Sequence, residues 1–338
     1  MRLLMEKRTE TPISLMLISP LIAVALTMIS AAIMFVLLGK DPGAALYTYF
    51  LDPLSDSWGL QEVAVKATPL VLIAVGLAVC YRAKVWNIGA EGQFLFGAMA
   101  GGYIAIITHG STQGPWLLLV MLLVGAMAGA AFALIPAILR TRFGANEILT
   151  SLMLVYVAEL LLDFLVRGPW RDPAGFNMPH SVVFEAEATL PLLMAGGRLN
   201  IGTPIMIALV LGFMLLMGRT LKGFEIRLVG EAPRAARFAG FSEARLIITV
   251  FMISGALAGL AGVLEAAGTI KQLQPGLSPG YGFTAIIVAF LGRLHPVGIL
   301  LAGLLMALTY IGGEIAQSSL QLPAAAIQVF QGMLLFFL

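Results

Sequence analysis

The chain has 338 residues, of which 59% are hydrophobic and only 11% charged, with a formal net charge of +2. Soluble domains carry about 25% charged residues, so this composition, with a mean hydropathy of +0.96, excludes an ordinary water-soluble fold. Apolar runs long enough to cross a bilayer recur along the chain, and they are continuous rather than alternating, which excludes a β-barrel.

The expected fold class is therefore an all-α polytopic membrane protein. Hydropathy read together with loop charge gives about ten membrane segments: 13–38, 63–81, 88–107, 115–139, 147–166, 203–218, 246–267, 281–292, 297–313 and 323–338. The first follows Arg2, Lys7 and Arg8, but it is too long for the apolar core of a signal peptide and has no clean small-residue cleavage site. It reads as a retained helix. Cys80 is the single cysteine, which rules out an internal disulfide, and His109, His180 and His295 lie far apart in separate loops, so no metal site is expected. Glycines recur as Gly97-x-x-x-Gly101, Gly125-x-x-x-Gly129 and Gly255-x-x-x-Gly259-x-x-Gly262, a spacing that lets helix backbones approach closely. Only about a dozen apolar residues separate Gly280 from Arg293 in the eighth segment. A helix that short falls short of a ~30 Å core, so it reads as a half-helix or a tilted piece inside the protein.

Charge in the loops sets the orientation. The amino-terminal tail, positions 82–84 and 140–142, the stretch 219–245 and Arg293 together hold fourteen of the chain's 20 Lys and Arg. The positive-inside bias then predicts that both termini are cytoplasmic. Two loops are long: an outer one from Arg167 to Gly202, rich in turn formers, and the inner basic one.

Motifs for chemistry are few. No phosphate-binding loop, nucleophile elbow or H-E-x-x-H occurs, so the chain is not expected to be an enzyme, and transport remains. On the fifth segment Tyr156, Glu159 and Asp163 share a helical face. They could serve as an ion relay in a self-sufficient secondary carrier, or simply pair with Lys66, Arg167 or Arg171; the structural reading is favoured. Asn87, Glu91 and Gln93 stand where the third segment begins. Either they flank the inner mouth of a polar pathway, or Glu91 is merely favoured by the dipole of its own helix. In the basic loop Pro233 suits the first position of a short helix, which Gly240 would stop. Arg234, Arg237 and Phe238 would then present two arginines and an aromatic, the residue types enriched in protein-docking hot spots, with a lipid-facing basic helix as the plainer alternative.

Taken in order, NIGAEGQ at 87–93, NEILTSLML at 146–154, VRGPWRDP at 166–173, PRAARFAG at 233–240, SGALAGLAG at 254–262 and SPGYGFTAIIVAFLGR at 278–293 resemble the permeases of ATP-binding-cassette importers for nucleosides and simple sugars, the nucleoside-type branch being closer. The resemblance runs from about residue 60 to the end. It implies a single transmembrane permease domain over 1–338, with 219–245 as a cytoplasmic coupling loop. It further implies a second homologous permease, the same or different, a cytoplasmic ATPase with two fused cassettes, and a substrate-binding lipoprotein or periplasmic protein. This chain would then bind no cofactor, ATP and magnesium belonging to the ATPase, and nucleic acid is not an expected partner. The expected location is the bacterial inner membrane.

The resemblance also places the coupling contact at Glu231, Pro233, Arg234, Arg237, Phe238 and Gly240. Asn87, Glu91, Gln93, Asn146, Tyr156 and Glu159 become candidates for the pathway or its gate. Three departures stand out. Ala232 replaces the usual asparagine before the coupling proline and is a poor cap, worth ~1 kcal/mol less, so Glu231 is expected to cap instead. Val155 stands where the family often has asparagine. The chain ends at Leu338 inside an apolar run where relatives continue into a basic tail, so a truncated last helix is expected.

Overall fold

A computed structural model describes residues 13–111, 114–194, 196–323 and 325–337. The basic tail with Arg2, Lys7 and Arg8, and the terminal Leu338, lie outside the described residues. Thirteen α-helices follow in order among those described: α1 (Ile13–Leu37), α2 (Pro42–Phe50), α3 (Ser57–Arg82), α4 (Ala90–Ile107), α5 (Trp116–Phe143), α6 (Glu147–Arg167), α7 (Gly202–Arg219), α8 (Leu221–Glu231), α9 (Pro233–Phe238), α10 (Glu243–Glu265), α11 (Tyr281–Leu291), α12 (Pro296–Leu320) and α13 (Ala325–Phe337). Eight are long and apolar enough to cross a membrane, and α11 and α13 are shorter apolar helices. The ten segments expected from hydropathy are all present, and the protein is a multi-pass membrane protein.

Helix α3 is buried along nearly its whole length and forms the axis of the bundle. Beside it α4, α5 and α10 pack on one another through the expected glycines. A Cβ on Gly129 would sit 2.7 Å from the Gly259 Cα, and one on Gly259 would sit 2.9 Å from the Gly129 Cα. No side chain larger than hydrogen fits there, and with no hydrophobic drive between helices in lipid this close approach is what holds the three together. Helices α1, α6 and α7 keep most of their surface outward, as lipid- or partner-facing helices do.

Two short helices were not expected. Asp41 caps α2, its carboxylate accepting from the Ala44 N–H at 2.8 Å, and α2 packs Tyr49 against Phe330 of α13 with ring centroids 5.3 Å apart. The basic loop holds α8 as well as the expected α9. The eighth segment is the half-helix α11: eleven residues rise about 16 Å, and it is packed inside the protein. Between α10 and α11 the chain makes a π-helical turn, Ala266–Ile270, then leaves through Lys271 at φ +61°. The long loop between α6 and α7 is tied to this return by backbone bonds, Ser181 N–H to Leu273 O at 2.9 Å and Phe184 N–H to Lys271 O at 2.8 Å.

Candidate functional site

The segment 83–89 between α3 and α4 is unwound, with Ala83, Val85, Asn87 and Gly89 buried and Lys84 and Trp86 exposed. Backbone groups there find internal partners, as non-helical chain at membrane depth must. Lys84, at φ +54°, turns the chain back. The Gly89 N–H donates to Asn87 Oδ1 at 3.0 Å, the Ile88 N–H to Ser151 Oγ at 3.2 Å, and the Tyr81 hydroxyl to the Asn87 carbonyl at 3.1 Å. Asn87 and Gln93, both fully buried, pair amide to amide at 2.9 and 3.1 Å, and Asn87 also donates to Ser254 Oγ at 3.0 Å. These two side chains fasten the turn to α10.

Glu91 does something different. It lies in the first turn of α4, level with the stretch of α10 between Ser254 and Gly262, roughly 20 Å along that helix from Glu243 and so near mid-depth. Its side chain is buried and accepts the Gly282 N–H at 2.5 Å. Ser278 Oγ takes the Tyr281 N–H at 3.0 Å. Between them Glu91 and Ser278 satisfy two of the donors that every helix leaves open at its start, here the start of α11 in the middle of the membrane. The helix whose amino terminus Glu91 serves is thus α11 as well as its own.

Beside this junction lies a cleft of 300 Å³, walled by Glu91 and Leu95 of α4, by Glu159, Leu160, Leu162 and Asp163 of α6, and by Pro275 to Ser278. It is apolar with a few polar groups, the usual make-up of a small-molecule passage. Of the sequence candidates, Glu91 and Glu159 line it. Tyr156 is on the exposed face of α6 one turn away, and Asn146 caps α6, its Oδ1 accepting the Ile148 N–H at 2.9 Å. Asp163 holds Arg167 through Nε at 2.8 Å from both carboxylate oxygens. Lys66 pairs with Glu314 at 3.2 Å, not with the acids of α6, and Arg171 bonds to Asn177.

Glu159 is exposed on α6, and Asp163 pairs with Arg167, one of the partners the favoured structural reading expected. Among the described residues the most deeply buried carboxylates are Glu91 and Glu265, each about 5% exposed or less. Glu265 accepts from the Tyr281 hydroxyl at 3.3 Å, and the Lys66 ammonium lies 5.6 Å over the Tyr281 ring and 5.5 Å over that of Tyr310. An acid inside the apolar run 246–267 is the signal that would have singled it out.

On the basic side α8 and α9 follow one another as a pair of short helices joined at Ala232. Pro233 is the first residue of α9 and Gly240, at φ +84°, ends the turn after it. Ala236 is buried and anchors α9, while Arg234, Arg237 and Phe238 point outward, Phe238 being 94% exposed. Arg237 reaches Glu243 at 3.1 Å. No side chain caps α9, so the expected cap from Glu231 is not made; Glu231 ends α8 instead, and its exposed side chain belongs to that helix. Among the described residues no group of three His, Cys, Asp or Glu side chains converges as a metal site would require.

The model of a family described as the permease component of branched-chain amino acid transport systems matches residues 59–338. The glucose ABC transporter permease TsgB13 of Haloferax volcanii is 37% identical, covering 99% of this chain and 90% of its own length. The nucleoside ABC transporter permease NupB of Lactococcus lactis is 29% identical over 94% of this chain and 89% of its own. The guanosine ABC transporter permease NupP of Bacillus subtilis is 27% identical over 95% and 92%. No solved structure matches.

Proposed function

The chain belongs to the family of branched-chain transport permease components, and from that premise we propose that it is the membrane-spanning subunit of an ATP-binding-cassette importer for nucleosides. The observation that carries this reading is the pairing of two features. A helix on the basic side offers two arginines and a bare phenylalanine to a partner, and above it a mid-membrane cleft is bordered by a half-helix. The chain itself is a conduit and not an enzyme. A double-cassette ATPase supplies the energy with its own ATP and magnesium, docking on Glu231, Pro233, Arg234, Arg237, Phe238 and Gly240. A phenylalanine 94% exposed to water is costly to leave uncovered, and arginine with an aromatic is the usual content of an interface hot spot.

A second homologous permease completes the passage. Glu159 is exposed on α6 and makes no ion pair among the described residues. A carboxylate facing lipid near mid-helix is expensive, so this face meets water or the partner chain. A substrate-binding lipoprotein or periplasmic protein delivers solute from the outer side, and the assembly sits in the inner membrane with both termini of this chain in the cytoplasm. Transport follows by alternating access, the ATPase favouring one arrangement of the paired permeases when ATP is bound.

A sugar is the second reading of the substrate, favoured by the 37% identity to a glucose permease. Both solute classes are polar rings bearing hydroxyls, which the carboxylates of Glu91 and Glu159 suit as acceptors. Competition for uptake in cells carrying the complete transporter, with labelled guanosine and labelled glucose as probes, separates them. Guanosine uptake unaffected by glucose supports the nucleoside reading. Glucose uptake without guanosine uptake replaces it with the sugar, and uptake of neither with this chain present sinks both.

A further inference from the structure

Three contacts join the surface helices to the cleft. The first is at the carboxyl end of α8, where Gly230 lies so close to α3 that a Cβ there would collide with the Arg82 carbonyl and sit 3.2 Å from the Ala83 Cα. Any shift of α8 is therefore felt directly by the last turn of α3. The second is the joint between α3 and α11. The Arg82 Nε donates to the Leu294 carbonyl at 3.0 Å, and Tyr81 stacks on Phe290 with centroids 5.1 Å apart and planes 16° from parallel. Trp86 adds a third ring, 5.2 Å from Tyr81 and 6.2 Å from Phe290. Just beyond, Arg293 and Leu294 both hold left-handed backbone, at φ +51° and +56°. Two consecutive non-glycine residues in that region are kept there only by firm surroundings. The third contact is at the far end, where the Gly282 N–H is held by Glu91 on the wall of the cleft and the Tyr281 hydroxyl by Glu265.

Helix α11 thus spans about 16 Å from the basic surface to mid-membrane with both ends fastened. A single rigid element of this kind moves as a body.

We propose that α11 is the strut that carries movement of the coupling helices to the cleft, and that Arg82 is the positioning residue that joins it to α3 and α8. This rests on the importer reading above. Without the Arg82 bond, α8 and α9 still engage the ATPase, but their displacement is no longer passed to Glu91 and Ser278.

The experiment is solute imported per ATP hydrolysed, measured with labelled guanosine and labelled glucose on the complete purified transporter in proteoliposomes. For Arg82→Ala the expected result is hydrolysis within about twofold of the parent and a transport-to-hydrolysis ratio lowered at least about fivefold, the low end of ordinary coupling energies. Arg82→Lys, which keeps a donor for the Leu294 carbonyl, restores the ratio substantially. A ratio unchanged in Arg82→Ala overturns the proposal, and so does a parallel fall of import and hydrolysis, the mark of a merely structural joint. Should Arg82→Ala fail to assemble, Phe290→Leu, which removes the ring stack and leaves backbone bonds in place, is read by the same criterion; failure of both to assemble also overturns it. Failure of the importer reading is seen separately, as an unaltered chain that shows no ATP-dependent uptake, and it takes the proposal with it.

Discussion

Replacing Glu91 by Ala removes the acceptor for the Gly282 N–H at the start of α11. That donor is buried where α4 and α11 touch: a Cβ on Gly282 would lie 2.6 Å from the Glu91 Cα. Leaving a buried donor unpaired costs about 1–3 kcal/mol. The cleft lies alongside, so a water that enters it to replace the carboxylate brings the cost to the lower end. Spent against the one arrangement of the transporter that holds α11 seated, 1–3 kcal/mol shifts the balance between arrangements by about 5- to 150-fold. Glu91→Gln keeps an oxygen in the same place and should cost less than ~1 kcal/mol. The assay is initial uptake at matched membrane levels, together with thermal unfolding in detergent. Glu91→Ala is expected to lose at least about fivefold in uptake while still assembling with its partners, and Glu91→Gln to keep most of it. Uptake by Glu91→Ala equal to the parent would refute the reasoning, as would equal damage by the two substitutions, because the loss would then follow charge and not the hydrogen bond.

Other substitutions separate docking from packing. Arg234→Glu with Arg237→Glu should abolish uptake and ATPase capture while leaving folding nearly untouched, since the ion pair lost among the described residues, Arg237 with Glu243, is an exposed one worth ~0–1 kcal/mol; uptake that survives would remove the coupling role from α9. Gly259→Ala should destabilise by about 1–3 kcal/mol through overpacking of α10 on α5, read as a lowered unfolding temperature with no specific effect on transport per folded molecule. Asn87→Leu should cost at least ~2 kcal/mol, because the Gly89 N–H and the Gln93 amide both lose a partner, and it should lower the yield of folded protein; a normal yield would mean that the turn at 83–89 is held by something other than this amide pair.

Much of the fold was legible because bilayer depth is written in length and polarity. The ten apolar segments, the shortness of α11 and the glycine spacing along α4, α5 and α10 are one-dimensional properties, each tied to a single physical requirement. Pro233 and Gly240 likewise bracket α9 through their own backbone preferences. The site was less legible, because its decisive contacts join distant parts of the chain. Glu91 and Gly282 are 191 positions apart, and Lys66 and Glu314 are 248. A sequence places a charge at a depth but does not say which neighbour a helix face meets. That is why Glu159, a candidate for an ion relay, lies exposed, while Glu265, which no motif singled out, is buried against Tyr281. Similarly Asn87 and Gln93 looked like a polar mouth, and only the fold brings Ser254 beside them to complete a structural cluster. Helices α2 and α8 escaped notice because each is short, nine and eleven residues, and lies between longer apolar runs where hydropathy is a weak guide.

The most direct test of the importer reading is to isolate this chain with a small affinity tag, under gentle solubilisation from its native membrane, and to identify by mass spectrometry what accompanies it. The account predicts a double-cassette ATPase, a second permease and a substrate-binding protein, with the ATPase lost on Arg234→Glu with Arg237→Glu. A folded chain that comes out alone and still moves solute without ATP would contradict it, and Glu159 and Asp163 would then be the first residues to examine for ion coupling.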